Sequence, residues 1–174
     1  MIESAAAVLQ NPAMHAFVAT QAWVWPICEI VHFVGMALLF GTVGLLDLRM
    51  LGVAKRLPVA PLERFVPWGV AGFVLNLITG YVFIVGTPGG PLDYLANTAF
   101  QLKSSFMLLA GVNVAAFYLT GVSRAAHAVG PDGDAPLAAK LVAATSLFLW
   151  LGVIYFGRML MYADAFYTRE YYGF

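Results

Sequence analysis

Residues 22–46 of the chain read AWVWPICEIVHFVGMALLFGTVGLL, and this stretch decides the fold. It is longer than the ~20 residues that an α-helix needs to cross the hydrocarbon core of a bilayer. Besides Cys28, its only ionisable side chains are Glu29 and His32. A helix that is apolar on every side is typical of a membrane span rather than of the surface of a soluble domain. The stretch therefore predicts a transmembrane helix.

Three further apolar stretches of similar character follow along the chain. They cover about residues 68–85, 100–119 and 141–162. These runs are uniformly apolar, whereas the strands of a membrane barrel are shorter and alternate between polar and apolar residues. We therefore predict an all-α fold, an integral membrane four-helix bundle that forms one domain over residues 1–174.

A shorter segment precedes the first span. Asn11 and Pro12 fit an N-cap and a first helical residue. The segment at about 4–20 is too short to cross a bilayer and mixes polar with apolar residues. It predicts a short N-terminal interfacial helix that lies on the membrane surface.

The composition supports a membrane protein and excludes several functions. Of 174 residues, 61% are hydrophobic and only 10% are charged, whereas about 25% are charged in a soluble domain. The formal net charge is zero and no basic stripe occurs, so we expect no nucleic acid partner. We find no phosphate-binding loop, nucleophile elbow or zinc-protease motif. A non-enzymatic role is therefore favoured, with an enzymatic one left open.

The basic residues predict the orientation. Cytoplasmic loops of membrane proteins carry an excess of Lys and Arg. Six of the nine basic residues lie at or near the connections between spans one and two and between spans three and four: Arg49, Lys55, Arg56, Arg64, Arg124 and Lys140. The opposite side holds only Lys103, Arg158 and Arg169. We therefore expect a multi-pass protein of the bacterial inner membrane with both termini in the periplasm.

Four polar residues are predicted at similar depth in the outer half of the membrane: Glu29, His32, Lys103 and Arg158. Ionisable residues inside a bilayer are costly and mark functional sites by default. Two interpretations stay open. Glu29 and Arg158 can form a structural ion pair with His32 hydrogen-bonded beside it. Alternatively, the four line a site for a small ligand, a quinone, a proton or a cofactor.

A second pattern overlaps this cluster. Cys28, His32 and Met36 are spaced by four residues and share one helix face. Soft sulfur and nitrogen ligands suit copper, and a histidine with a methionine can hold a haem iron. Haem b is commonly held by two histidines on facing helices, but here only His32 lies in a predicted span, because His15 and His127 lie outside the spans.

Residues at the end of the first span have a structural interpretation. Asp47 and Arg49 are expected to anchor the helix end through ion pairs, with Arg64 among the partners. Near mid-depth, Asn76 and Asn113 predict hydrogen bonds between helices. Small residues predict close helix packing: Gly41, Gly44, Gly69, Gly72, Gly111 and Ala115.

The chain also resembles an uncharacterised bacterial family of small four-helix inner-membrane proteins. The resemblance covers nearly the whole chain and rests on five runs: Trp25-Pro26-x-x-Glu29-x-x-His32-x-x-Gly35, Asp47-Leu-Arg49-x-Leu-Gly52, Asn97-x-x-Phe100-x-x-Lys103, Ser146-x-x-x-Trp150 and Gly157-Arg158. It implies a four-span fold and groups Glu29, His32, Lys103 and Arg158 as signature positions. It implies no activity.

These observations give one leading hypothesis and two alternatives. The leading one is an accessory protein or complex subunit in the lipid bilayer, as a homo-oligomer or with other membrane subunits, whose periplasmic-side site binds a small ligand, cofactor or partner. The first alternative is a cytochrome b-like or quinone-linked electron-transfer protein that uses His32. The second is a copper-handling protein that uses Cys28, His32 and Met36.

Overall fold

The described chain is built from α-helices joined by short connections. It is a computed structural model that describes residues 2–53, 55–130 and 132–162, and no strand occurs in these ranges. In chain order the helices are α1 (Ile2–Leu9), α2 (Pro12–Thr20), α3 (Val24–Leu51), α4 (Val59–Leu62), α5 (Val66–Gly86), α6 (Gly90–Ala96), α7 (Thr98–Leu119), α8 (Val122–His127) and α9 (Leu137–Met159). A 3-10 turn, Glu63–Phe65, joins α4 to α5.

Four segments of the described chain are long and apolar enough to cross a membrane: α3, the segment Val59–Gly86 that contains α5, α7 and α9. They confirm the predicted all-α class with four candidate spans. The first helix continues beyond the predicted end at Leu46 to Leu51 and stops at Gly52, which has a left-handed φ of 94°. Glycine adopts this conformation without steric cost.

The four long helices form an open ring. Helix α3 packs against α5 and α9, and α7 packs against α9, so the order around the ring is α5, α3, α9, α7. We call the end that holds the connections 52–58 and 120–136 the basic face, and the end that holds α2 and α6 the opposite face. Helices α5 and α7 are not among the packed pairs of the described chain.

Helices α3 and α5 cross where two glycines meet. A Cβ atom placed on Gly35 would lie 2.8 Å from the carbonyl oxygen of Gly72, and one on Gly72 would lie 2.5 Å from that of Gly35. Only glycine permits this approach. Next to the crossing, the Asn76 amide, oriented to satisfy both of its polar atoms, donates to His32 O at 2.7 Å and accepts from Met36 N at 3.1 Å. The close packing predicted at Gly72 and the interhelical bond predicted for Asn76 are confirmed.

Not every small residue serves packing in the same way. A Cβ atom added to Gly41 or Gly111 would meet no atom within 4 Å. These two glycines therefore face open space beside the helix, and neither is explained by a close contact with another helix. Asn113, which was also expected to link helices, does so by donating to the carbonyl oxygen of Val142 at 3.1 Å.

The N-terminal segment differs from the prediction. It contains two helices instead of one helix at about 4–20, because the helical conformation is interrupted at Gln10 and Asn11. Asn11 caps α2 by accepting from Met14 N at 3.0 Å. Helix α2 packs against α5, where the His15 ring bonds to Val85 O at 2.8 Å, and α1 packs against α6. Both helices therefore contact other helices of the protein.

The guanidinium of Arg49 ties the two connections of the basic face together. It is fully buried and donates to the carbonyl oxygens of Leu57, Gly130 at 3.3 Å and Gly133 at 3.5 Å. Leu57 belongs to the first connection, and the two glycines belong to the second. Because the buried guanidinium donates to carbonyl oxygens of both, Arg49 stabilises both connections at once.

A surface ion pair joins the same two connections. The Lys55 ammonium lies 2.6 Å from Asp134 Oδ1, and Lys140 lies 3.4 Å from Oδ2. The hydrogen bond from Lys55 and the charge of Lys140 hold the pKa of Asp134 below its ordinary value. The pair is exposed to solvent, so it stabilises the fold less than the buried Arg49 does.

The ion pairs predicted for Asp47, Arg49 and Arg64 are wrong for the part of the chain that the structure describes. The ion pairs there join Lys55 and Lys140 to Asp134 and His127 to Glu63. Residues two apart on a helix point to different sides, so Arg49 faces the connections while Asp47 faces the interior of the bundle. Arg64 is exposed.

Replacing Arg49 by methionine is expected to destabilise the protein by about 2–3 kcal/mol, because three carbonyl oxygens lose a charged hydrogen-bond donor. The measurement is the free energy of unfolding of the purified protein. Arg64→Met is the matched control, since Arg64 is exposed, and it should change stability by less than ~0.5 kcal/mol. Equal effects of the two substitutions would contradict the role given to Arg49.

Candidate functional site

Two members of the predicted outer cluster, Glu29 and Arg158, do not pair with each other in the described chain. Glu29 is exposed and accepts a hydrogen bond from Trp25 Nε1 at 3.2 Å. Arg158 is also exposed, donates to the Tyr162 hydroxyl at 3.2 Å and stacks over that ring at 5.3 Å. The Glu29–Arg158 ion pair is absent from the described chain. Each residue bonds instead to an aromatic side chain four positions away on its own segment.

His32 has a defined environment between α3 and α5. Its Nδ1 lies 2.7 Å from the Thr79 hydroxyl oxygen, which in turn donates to Leu75 O at 2.8 Å. Because Thr79 has a single hydroxyl proton, it accepts from Nδ1–H, and the lone pair of a neutral His32 is then on Nε2. The ring packs edge-on against Phe83 at 5.4 Å, and Lys103 lies within electrostatic range of it.

The proposed metal ligands are only partly tested by this geometry. Within the described ranges, no three His, Cys, Asp or Glu side chains lie close enough to hold one metal ion. Cys28 is a free, half-buried thiol. Copper binding by Cys28, His32 and Met36 therefore stays a prediction, as does haem binding through His32.

A cavity of about 290 Å³ lies elsewhere, among α3, α5, α7 and α9 in the half of the bundle nearer the basic face. It runs along α3 from Leu39 to Met50, a distance of about 16 Å at the rise of an α-helix. Phe73 and Trp150 lie at its inner end, and Glu63 lies at its outer end. Pockets between the helices of a bundle commonly hold small molecules, and this volume is near the lower end of their range.

Most side chains that line the cavity are apolar, so its polar groups stand out. Those whose polar atoms have partners include Asn113, bonded to Val142 O at 3.1 Å, and Glu63, whose Oε1 lies 2.5 Å from His127 Nε2. Ser146 lies beside the Asp47 carboxyl group. The lining therefore combines an apolar body with a small set of hydrogen-bonding groups.

Two buried polar groups of the lining have no partner in the described chain. The side chain of Asp47 is 3% exposed, and its Oδ2 has no hydrogen-bond partner. Trp150 is 8% exposed, and its Nε1–H is likewise unpaired. Leaving a buried polar atom unpaired costs about 1–3 kcal/mol, and more for a charged group. Two residues that line one cavity thus each carry a polar atom without a hydrogen-bond partner: an acceptor in Asp47 and a donor in Trp150.

The local sequence explains why Asp47, Ser146 and Trp150 line the same cavity. Ser146 and Trp150 are four residues apart and share the face of α9 that packs on α3. Asp47 lies on the facing side of α3. Sequence reasoning missed this site because Asp47 was assigned to an ion pair. The available signal was an ionisable residue in a span together with the run Ser146-x-x-x-Trp150.

No protein-family model, curated protein or solved structure matches the chain.

Proposed function

We propose that this protein binds a small amphiphilic molecule, with an apolar body and a hydrogen-bonding group, in the cavity around Asp47, as a ligand-binding membrane protein rather than an enzyme. One observation carries the proposal: Asp47 lines the cavity, and its buried Oδ2 has no hydrogen-bond partner in the described chain, while Ser146 lies beside the carboxyl group. A ligand group that donates a hydrogen bond would satisfy it. Without such a partner, a buried carboxyl group that stays unpaired lowers the stability of the fold.

The second unpaired group defines the ligand further. The Trp150 N–H can only donate, so it favours a ligand with an acceptor near its hydrogen-bonding end. A hydroxyl group can both donate and accept, so a ligand that carries hydroxyl groups has the chemistry to bond to Asp47 and to Trp150. The apolar side chains around them, among them Leu39 and Phe73, favour a hydrocarbon body. A long-chain alcohol is therefore a suitable probe.

The cellular setting is part of the proposal. The excess of Lys and Arg at the basic face favours a cytoplasmic location of that face in a bacterial inner membrane. Both termini would then be periplasmic. Arg169, one of the charges counted for the periplasmic side, lies outside the described residues. An accessory role in a homo-oligomer or with other membrane subunits is compatible with a cavity that binds and does not react.

Asp47→Leu tests the proposal with a diazirine-bearing long-chain alcohol as the photoactivatable probe. We expect light-dependent labelling of cavity residues, mapped by mass spectrometry of peptides. The variant should need about tenfold more probe for half-maximal labelling, because one hydrogen bond to the ligand is lost. Its stability should stay equal or rise, since an apolar side chain replaces an unpaired buried carboxyl.

A pair of glycine variants controls for specificity. Gly111 lines the cavity, and a Cβ atom there would meet no neighbour within 4 Å, so Gly111→Phe should block labelling. Gly41 also has open space but does not line the cavity, so Gly41→Phe should leave labelling unchanged. Labelling that survives both Asp47→Leu and Gly111→Phe would contradict the proposal.

A second function is favoured by the geometry of His32. The Thr79 hydroxyl bonds to Nδ1 and leaves the Nε2 lone pair for a metal ion, a haem iron or the hydroxyl group of a quinol. This geometry supports the electron-transfer and copper alternatives, in which His32 is the ligand or the hydrogen-bonding group. It is independent of the Asp47 cavity, because His32 does not line that cavity.

A visible absorption spectrum and a metal analysis of the detergent-purified protein test this second function. Haem ligation predicts a Soret band, and copper handling predicts stoichiometric copper. His32→Ala should abolish either signal, whereas Thr79→Val should weaken it by freeing the ring. A well-folded protein that is colourless and metal-free would eliminate both the haem and the copper alternatives.

A further inference from the structure

We infer that the ligand of the Asp47 cavity enters sideways from the lipid bilayer, through a gap between α5 and α7. The inference rests on the proposed function and adds the source of the ligand. It assigns the occupant to one chemical class, amphiphiles dissolved in the bilayer that carry an apolar body and a hydroxyl or amine group. The argument depends on where the cavity is open and where it is closed.

In the part of the chain that the structure describes, the gap lies between the two neighbouring helices of the ring that do not pack closely. Helix α3 packs on α5 and on α9, and α9 packs on α7, but α5 and α7 are not a packed pair. Both nevertheless contribute lining residues to the cavity. Its rim carries Val70 on α5, with Val114 and Tyr118 on α7, and the latter two are 42% and 47% exposed. The cavity therefore opens between these helices.

The other directions are closed by packed side chains. At the basic face, Val59 and Leu62 of α4 are buried, α4 contacts α8, and the pair Glu63–His127 lies beside them. Toward the opposite face, the core cluster fills the bundle interior: Leu39, Ala110, Leu149, Trp150 and Val153, with Phe73 packed against it. A water-soluble ligand would have to cross one of these layers.

The gap lies within the spans, so its surroundings are lipid chains. Val70 and Val114 belong to helices that are long and apolar enough to cross a membrane. The two valines of the rim offer no hydrogen bonds to a polar solute and do not hinder a hydrocarbon chain. The polar end of the occupant meets the Asp47 carboxyl only after the apolar body has entered. This order favours an amphiphile already dissolved in the bilayer.

Quenching of Trp150 fluorescence tests the route. The full chain, with Trp23, Trp25 and Trp68 replaced by phenylalanine, is reconstituted into vesicles of phosphatidylcholine with dibrominated acyl chains. We expect these chains to quench Trp150 and aqueous iodide not to do so. Val114→Phe, which adds bulk at the rim, should remove about half of the lipid quenching. The matched control is Val112→Phe, since Val112 is 65% exposed on the same helix but does not line the cavity.

The outcomes separate the route from the proposed function. Quenching by iodide, or lipid quenching that Val114→Phe and Val112→Phe change equally, would overturn lateral entry. Equilibrium photolabelling by the alcohol that is still lost in Gly111→Phe would then leave the proposed function standing. If Gly111→Phe leaves that labelling unchanged, the proposed function fails, whatever the quenching data show. Matched long-chain amine and alcohol probes distinguish the two headgroups.

Discussion

The buried carboxyl of Asp47 is the constraint on which the rest of this structure depends. A carboxyl group removed from water needs a hydrogen-bond donor or a cation, and the described chain leaves its Oδ2 with neither. The nearest large cation on the same helix, Arg49, is committed to carbonyl oxygens of the two connections. Arg49 thus stabilises the connections and does not pair with Asp47, which lines the cavity.

The helix packing preserves the space around that acid. The Gly35–Gly72 crossing and the Asn76 amide hold α5 tightly against α3 in the opposite half of the bundle. On the other side, α7 is held by α9. Because α5 packs on α3 and α7 packs on α9, α5 and α7 do not pack closely against each other in the described chain. An interhelical cavity with a lipid-facing opening follows from this arrangement.

Sequence reasoning predicted the fold well and the cavity poorly. Hydropathy alone predicts the spans, since a bilayer demands long apolar helices, and Asn76 and Asn113 were correctly expected to link them. Depth and helix spacing cannot give the rotation of one helix against another, so they could not decide whether Glu29 and Arg158 pair, and in the described chain they do not. The same limit hid Asp47, because the sequence does not show that Asp47 faces the interior of the bundle while Arg49, two residues further along α3, faces the connections.

The most direct test of the Asp47 site is an experimental structure of the full chain in lipid nanodiscs with a long-chain alcohol. The account predicts density for the alcohol in the cavity between α5 and α7, with its oxygen about 2.5–3.0 Å from a carboxyl oxygen of Asp47. A cavity filled by the protein's own side chains, with Asp47 bonded to one of them, would contradict it.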